Sequence, residues 1–149
     1  MNSYLTIPLL IAAGAALVAQ NLLMVRITET VSTVVITLVI NSSMGLALLL
    51  AVLLLRDGMS GLTEAIGAVR PWAVLSGMLG SFFVFAGIMG YQRVGACATI
   101  AVLVASQLIA GLLVDASKSE ASNGRVDVFT LLGAGLLVVG AFLIARRSV

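Results

Sequence analysis

Histidine is absent from this chain and cysteine occurs once, at Cys97. With no imidazole there is no histidine metal ligand and no histidine proton relay. With one thiol there is no intrachain disulfide and no thiolate metal cluster. Cys97 reads as a small apolar residue within a helix. Charge is scarce as well: Asp, Glu, Lys and Arg make up 9% of 149 residues, where a soluble globule carries about 25%. The net charge of +2 is small and dispersed, which excludes a nucleic-acid footprint despite a pI near 9.2. HExxH, a glycine-rich phosphate loop, a nucleophile elbow and metal-ligand spacings are all missing. Mid-helix aspartates and a Ser/His pair are missing too, so the chain is not expected to be an enzyme, and no cofactor is expected.

What fills the chain instead is hydrocarbon. Hydrophobic residues make up 61% and the mean hydropathy is +1.21. Five apolar segments, 5–25, 31–55, 72–91, 96–114 and 128–145, each approach the ~20 residues a helix needs to cross a bilayer core. The expected fold is an all-α integral membrane protein, one domain of five transmembrane helices in the inner (plasma) membrane, with the lipid bilayer as its main surroundings. The N-terminus Met1-Asn2-Ser3-Tyr4 has no basic residue, so the first segment reads as a retained helix rather than a cleaved signal.

The connections are short. Residues 26–30 read as a tight turn, with Thr30 or Ser32 capping helix 2. The stretch 31–40 is β-branched, a poor helix former in water, but in lipid every backbone group must be satisfied within its own segment. Arg56-Asp57-Gly58 reads as the stop of helix 2. Beyond it Met59, Leu62, Ile66 and Val69 recur at helical spacing and suggest a short interfacial helix. Pro71 suits the first turn of helix 3, and Trp72 suits the headgroup boundary. Residues 91–95 read as a turn and 115–127 as a polar, serine-rich, mobile loop. Helices 1 and 2, and 3 and 4, should form antiparallel hairpins, leaving helix 5 unpaired.

Basic residues normally mark the cytoplasmic side. Five spans place Arg56, Arg70, Lys118 and Arg125 on the side of the N-terminus, and Arg26, Arg93, Arg146 and Arg147 on the other. Four against four gives no preferred orientation. One reading is dual topology, with copies inserted both ways as an antiparallel homodimer. The other is a single orientation set by features that a count misses, such as the Arg146-Arg147 cluster or a paralogous partner of opposite charge bias.

Small residues four apart allow close helix approach in lipid. They are dense: Ala12 with Ala16, Ser76 with Gly80, Ala86 with Gly90, Ala101 with Ala105 and Ser106 with Ala110, besides Gly133, Gly135 and Gly140 in helix 5. Ordinary packing within one chain and packing between two copies both use such pairs.

Polar groups at membrane depth are expensive and tend to face a cavity or another helix. Serine and threonine can bond to their own helix backbone, so they weigh little here. Asparagine and glutamine cannot do so fully. Asn21, Asn41 and Gln107 are therefore the expected cavity-lining residues. The alternative is interhelical bonding, worth about 0.6 kcal/mol on average. Arg26, Glu29, Arg93 and Asp115 fall at helix ends, where snorkelling to the interface accounts for them. No carboxylate falls in the middle of a span, which disfavours proton-coupled cation exchange.

The stretch 75–85 (LSGMLGSFFVF), then Val94-Gly95-Ala96, then 106–115 (SQLIAGLLVD), together with Gln20-Asn21, resembles the YdcZ-type (EamA-like) branch of the drug/metabolite transporter superfamily over nearly the whole chain. The resemblance implies a half-transporter whose longer relatives carry two such halves in inverted orientation. It implies export of a small-molecule substrate by two copies, and it points to Asn21, Gln107 and Asp115. The first helix lacks the buried glutamate of the small-multidrug-resistance branch, so exchange of quaternary cations for protons is not expected. The expected activity is secondary export of a small neutral or amphipathic metabolite, with Asn21, Asn41, Gln107 and Asp115 contacting it. The rival is a non-transporting accessory subunit of a larger membrane complex.

Overall fold

The computed structural model describes residues 3–119 and 128–148. These form five helices and no strand: α1 (Ser3–Thr30), α2 (Val34–Gly67), α3 (Pro71–Arg93), α4 (Ala96–Ser119) and α5 (Val128–Ser148). All five are long and apolar enough to cross a membrane. Their large side chains are mostly exposed, Leu55 at 89% for example, as expected where the surroundings are lipid tails as apolar as leucine.

Several boundaries lie beyond those read from hydropathy. α1 continues through residues 26–30, which are helical rather than a turn. Hydropathy stops at Arg26, but the backbone keeps its hydrogen-bonding ladder until the chain must reverse at 31–33. Neither Thr30 nor Ser32 caps α2. The N-cap residue is Thr33, in extended conformation and without a side-chain bond, while the Thr30 hydroxyl donates back to the Ile27 carbonyl at 2.8 Å. At its far end α4 carries Asp115 to Ser119 in helical form. The remainder of the proposed serine-rich loop, 120–127, lies outside the described residues.

The chain divides into two compact units, Met1–Met89 and Gly90–Val149. In the first, α1 and α2 form the expected antiparallel pair. The Thr28 and Thr37 hydroxyls meet at 2.9 Å, and Gln20 Nε2 donates to Asn41 Oδ1 at 3.1 Å. Gly58 breaks α2 with φ +63° and ψ −153°, a region open essentially to glycine alone. Residues 59–67 resume as the short helix that the spacing of Met59, Leu62 and Ile66 suggests. The bend is tight: a Cβ on Gly61 would lie 2.8 Å from Asp57 Cβ. Only 68–70 remain irregular before Pro71 opens α3, where the Arg70 guanidinium lies 5.9 Å from the Trp72 ring centroid.

In the second unit the end of α3 leads into α4 through Gly95, whose φ of +86° is one that glycine adopts readily. The Val94 N–H closes on the Gly90 carbonyl at 2.9 Å. α5 is not unpaired: it packs along α4. The seam is made of alanine. Ala98 and Ala105 on α4, and Ala134 and Ala141 on α5, are buried, and each pair is seven residues apart and so shares one helix face. The glycines that drew attention in the sequence do not make this contact. A Cβ on Gly133, Gly135 or Gly140 would meet nothing within 4 Å. Two methyl-bearing faces already let the backbones approach closely.

Candidate functional site

Asn21 lies on α1 and is only 7% exposed. Two observations set its surroundings. Met24, three residues along and on the same face, is also buried. Opposite it stands Gly87 of α3, where a Cβ would lie 3.8 Å from Asn21 Oδ1. Among the described residues the Asn21 carboxamide makes no side-chain hydrogen bond. The hydroxyls behave otherwise and satisfy themselves locally. Thr28 donates to the Met24 carbonyl at 2.8 Å, Thr99 to the Gly95 carbonyl at 2.8 Å and Ser106 to the Leu103 carbonyl at 2.8 Å. An asparagine in a helix interior lacks that route, so its two donors and its acceptor stay open.

Asn41 has a different place. It is half-buried and its oxygen is taken by Gln20 across the α1–α2 pair. This is the interhelical bond that the sequence offered as the alternative. Gln107 and Asp115 both lie on α4 and are exposed. The α4–α5 groove is lined by Cys97, Ile100, Ala105, Leu137 and Ala141 among others, and neither Gln107 nor Asp115 is part of it. Arg26, Glu29 and Arg93 are exposed near helix ends, as snorkelling requires.

Three residues of interest were not singled out in the sequence. Thr37 is fully buried at 0% exposure. Reading residues 26–30 as a turn hid it, because its partner Thr28 then falls in the turn and not on a helix face. Gly87 was one of many glycines and nothing in the sequence set it apart. Tyr91, the last residue of the third apolar segment, belongs to α3 and is 8% exposed, its hydroxyl buried without a partner among the described residues.

Five membrane-length helices, with polar side chains bonded between α1 and α2, define a multi-pass helical membrane protein. Comparison with known families names the branch. The family described as "Putative inner membrane exporter, YdcZ" matches residues 5–143. The chain is also similar to the inner membrane protein YdcZ of Escherichia coli (strain K12), with 54% identity over 148 residues and 99% of each chain covered. No solved structure matches. The chain belongs to the YdcZ family of the drug/metabolite transporter group, and it is a multi-pass protein of the inner membrane.

Proposed function

We propose that the protein is a secondary exporter of a small neutral or amphipathic metabolite, working as an antiparallel pair of copies. The observation that carries this reading is Asn21, 7% exposed on α1, whose carboxamide makes no side-chain hydrogen bond among the described residues. A chain keeps such a group where an incoming molecule completes its bonds. Glu29, Asp57, Glu64 and Asp115 are all exposed, which favours a neutral solute over a cation held by a buried carboxylate. Membership of a family of inner-membrane exporters supports the direction of transport.

In this reading Asn41 acts through Gln20, holding α2 in register against α1. Gln107 and Asp115, exposed on α4 in a single chain, are the groups that a second copy would enclose. Access alternates by rocking of helices about a midplane site, the pattern of inverted-repeat carriers, and α5 travels with α4. The four-against-four distribution of basic residues supports insertion in both orientations.

The test compares solutes in the medium of cells that express the protein, cells that express Asn21→Leu at equal membrane level, and cells without either. The expected result is enrichment of at least one neutral solute by the wild type alone. No enrichment by the wild type would remove the exporter reading and leave the accessory subunit in its place. Paired reporters on the C-terminus, active on opposite sides of the membrane, test the antiparallel pair. Activity of both supports it, and activity of one alone refutes it.

A further inference from the structure

Tyr91 ends an apolar helix, where tyrosine ordinarily anchors at the membrane interface with its hydroxyl in the headgroups. Its geometry is the reverse of an anchor. The residue is 8% exposed and the hydroxyl oxygen is buried with no hydrogen-bond partner among the described residues. The nearby backbone carbonyls bond within the turn. The Gly90 carbonyl accepts from the Val94 N–H at 2.9 Å. The Gly95 carbonyl accepts twice, from the Thr99 N–H at 3.2 Å and the Thr99 hydroxyl at 2.8 Å. The turn is tightly packed: Thr99 is buried, and a Cβ on Gly90 would lie 2.6 Å from Thr99 Cγ2. Among the described residues the phenol O–H bonds to none of these groups.

Buried tyrosine hydroxyls normally have a partner, and phenylalanine would fill the same volume without the cost of an orphaned hydroxyl. The ring alone does not account for the oxygen.

We propose that the Tyr91 hydroxyl hydrogen-bonds the exported molecule, a neutral solute carrying a hydroxyl, carbonyl or amide group. The proposal rests on the exporter reading and adds a binding residue that reading does not use. A phenol can donate and accept at once, which suits a group that does the same. No charged side chain is needed beside it, since Arg93, two residues on, is exposed.

The experiment uses the full chain in proteoliposomes loaded with radiolabelled ribose, xylitol or uridine, probes that are neutral, rich in hydroxyls and retained by bilayers. Wild type and Tyr91→Phe are compared at equal protein content, and the melting temperature of each is measured in detergent. The expected result is efflux of at least one probe through the wild type. For that probe the half-saturation concentration in Tyr91→Phe should rise about 3–10-fold, the value of one neutral hydrogen bond, with maximal flux kept. Tyr91→Phe should melt no lower than the wild type, because no bond within the protein is lost.

Three results would overturn the proposal. An unchanged half-saturation concentration removes Tyr91 from the site while leaving export intact. A melting temperature several degrees lower shows that the hydroxyl already has a partner inside the protein. Efflux of none of the probes removes the neutral class. If wild-type cells still enrich other solutes in their medium, the exporter reading survives that result.

Discussion

Thr28 and Thr37 face one another across the reversal from α1 to α2 with 2.9 Å between their hydroxyl oxygens, and the direction of that bond follows from a neighbour. Thr28 spends its one hydroxyl hydrogen on the Met24 carbonyl at 2.8 Å. Thr37 must then be the donor and Thr28 the acceptor. The relay runs from Thr37 through Thr28 into the backbone of α1, and it closes over a residue with 0% exposure.

The direction makes the two valine substitutions unequal. Thr37→Val removes a donor and leaves Thr28 bonded to Met24, so it should cost about 0.5–1.5 kcal/mol. Thr28→Val removes two bonds, to the Met24 carbonyl and from Thr37, and should cost about 1–3 kcal/mol. Thermal unfolding in detergent checks the order, with Thr28→Val expected to melt lower.

Asn21 and Asn41 should separate in the same assay. Asn21→Leu breaks no side-chain bond among the described residues, so its melting temperature should equal or exceed that of the wild type while export is lost. Asn41→Leu releases Gln20 from the 3.1 Å bond and should cost about 0.6 kcal/mol, the average for a polar contact between membrane helices. Half-saturation and maximal flux of whichever solute is exported complete the comparison.

At the turn from α3 to α4 the contact is steric. A Cβ on Gly90 would lie 2.6 Å from Thr99 Cγ2 and 2.7 Å from its Oγ1. Gly90→Ala should therefore destabilise by about 1–3 kcal/mol, as overpacking does. Adding Thr99→Ala removes both clashing atoms, so the double variant should be more stable than Gly90→Ala alone. A double-mutant cycle measures that coupling.

The bend in α2 gives a fourth expectation. Gly58 has φ +63° and ψ −153°, and Gly61 lies against Asp57 and Leu53 with no space for a methyl group. Gly58→Ala carries backbone strain of about 1–3 kcal/mol. It should lower the melting temperature and change the accessibility of single cysteines placed at Met59 and Ile66.

The sequence made the helices legible because hydropathy at membrane length is a coarse and strong signal. It also placed Gly58 and the short helix after it, since both depend on local chemistry. Helix ends were less legible. Residues 26–30 look polar enough to turn, yet a charged residue at a helix end in a membrane can stay helical and extend toward the interface, as exposed Arg26 does. Pairing of α5 with α4 was not legible because turn length pairs only helices joined by short turns, and 115–127 is long; Ala105, Ala134 and Ala141 are buried on the two helices. Asn21 could be read as interior because asparagine cannot satisfy itself on a helix. The same rule could not tell an open carboxamide at Asn21 from a bonded one at Asn41, since that depends on which helix lies opposite.

The alanine seam gives α4 and α5 an unusual mechanical character. A methyl group has no rotamer to freeze, so docking α5 costs almost no side-chain entropy. It cannot yield by swinging aside either. Two stiff rods held apart at one point are held apart along a lever arm. One leucine at Ala105 or Ala141 would thus act as a wedge, and its effect would be felt turns away from the place where it was inserted.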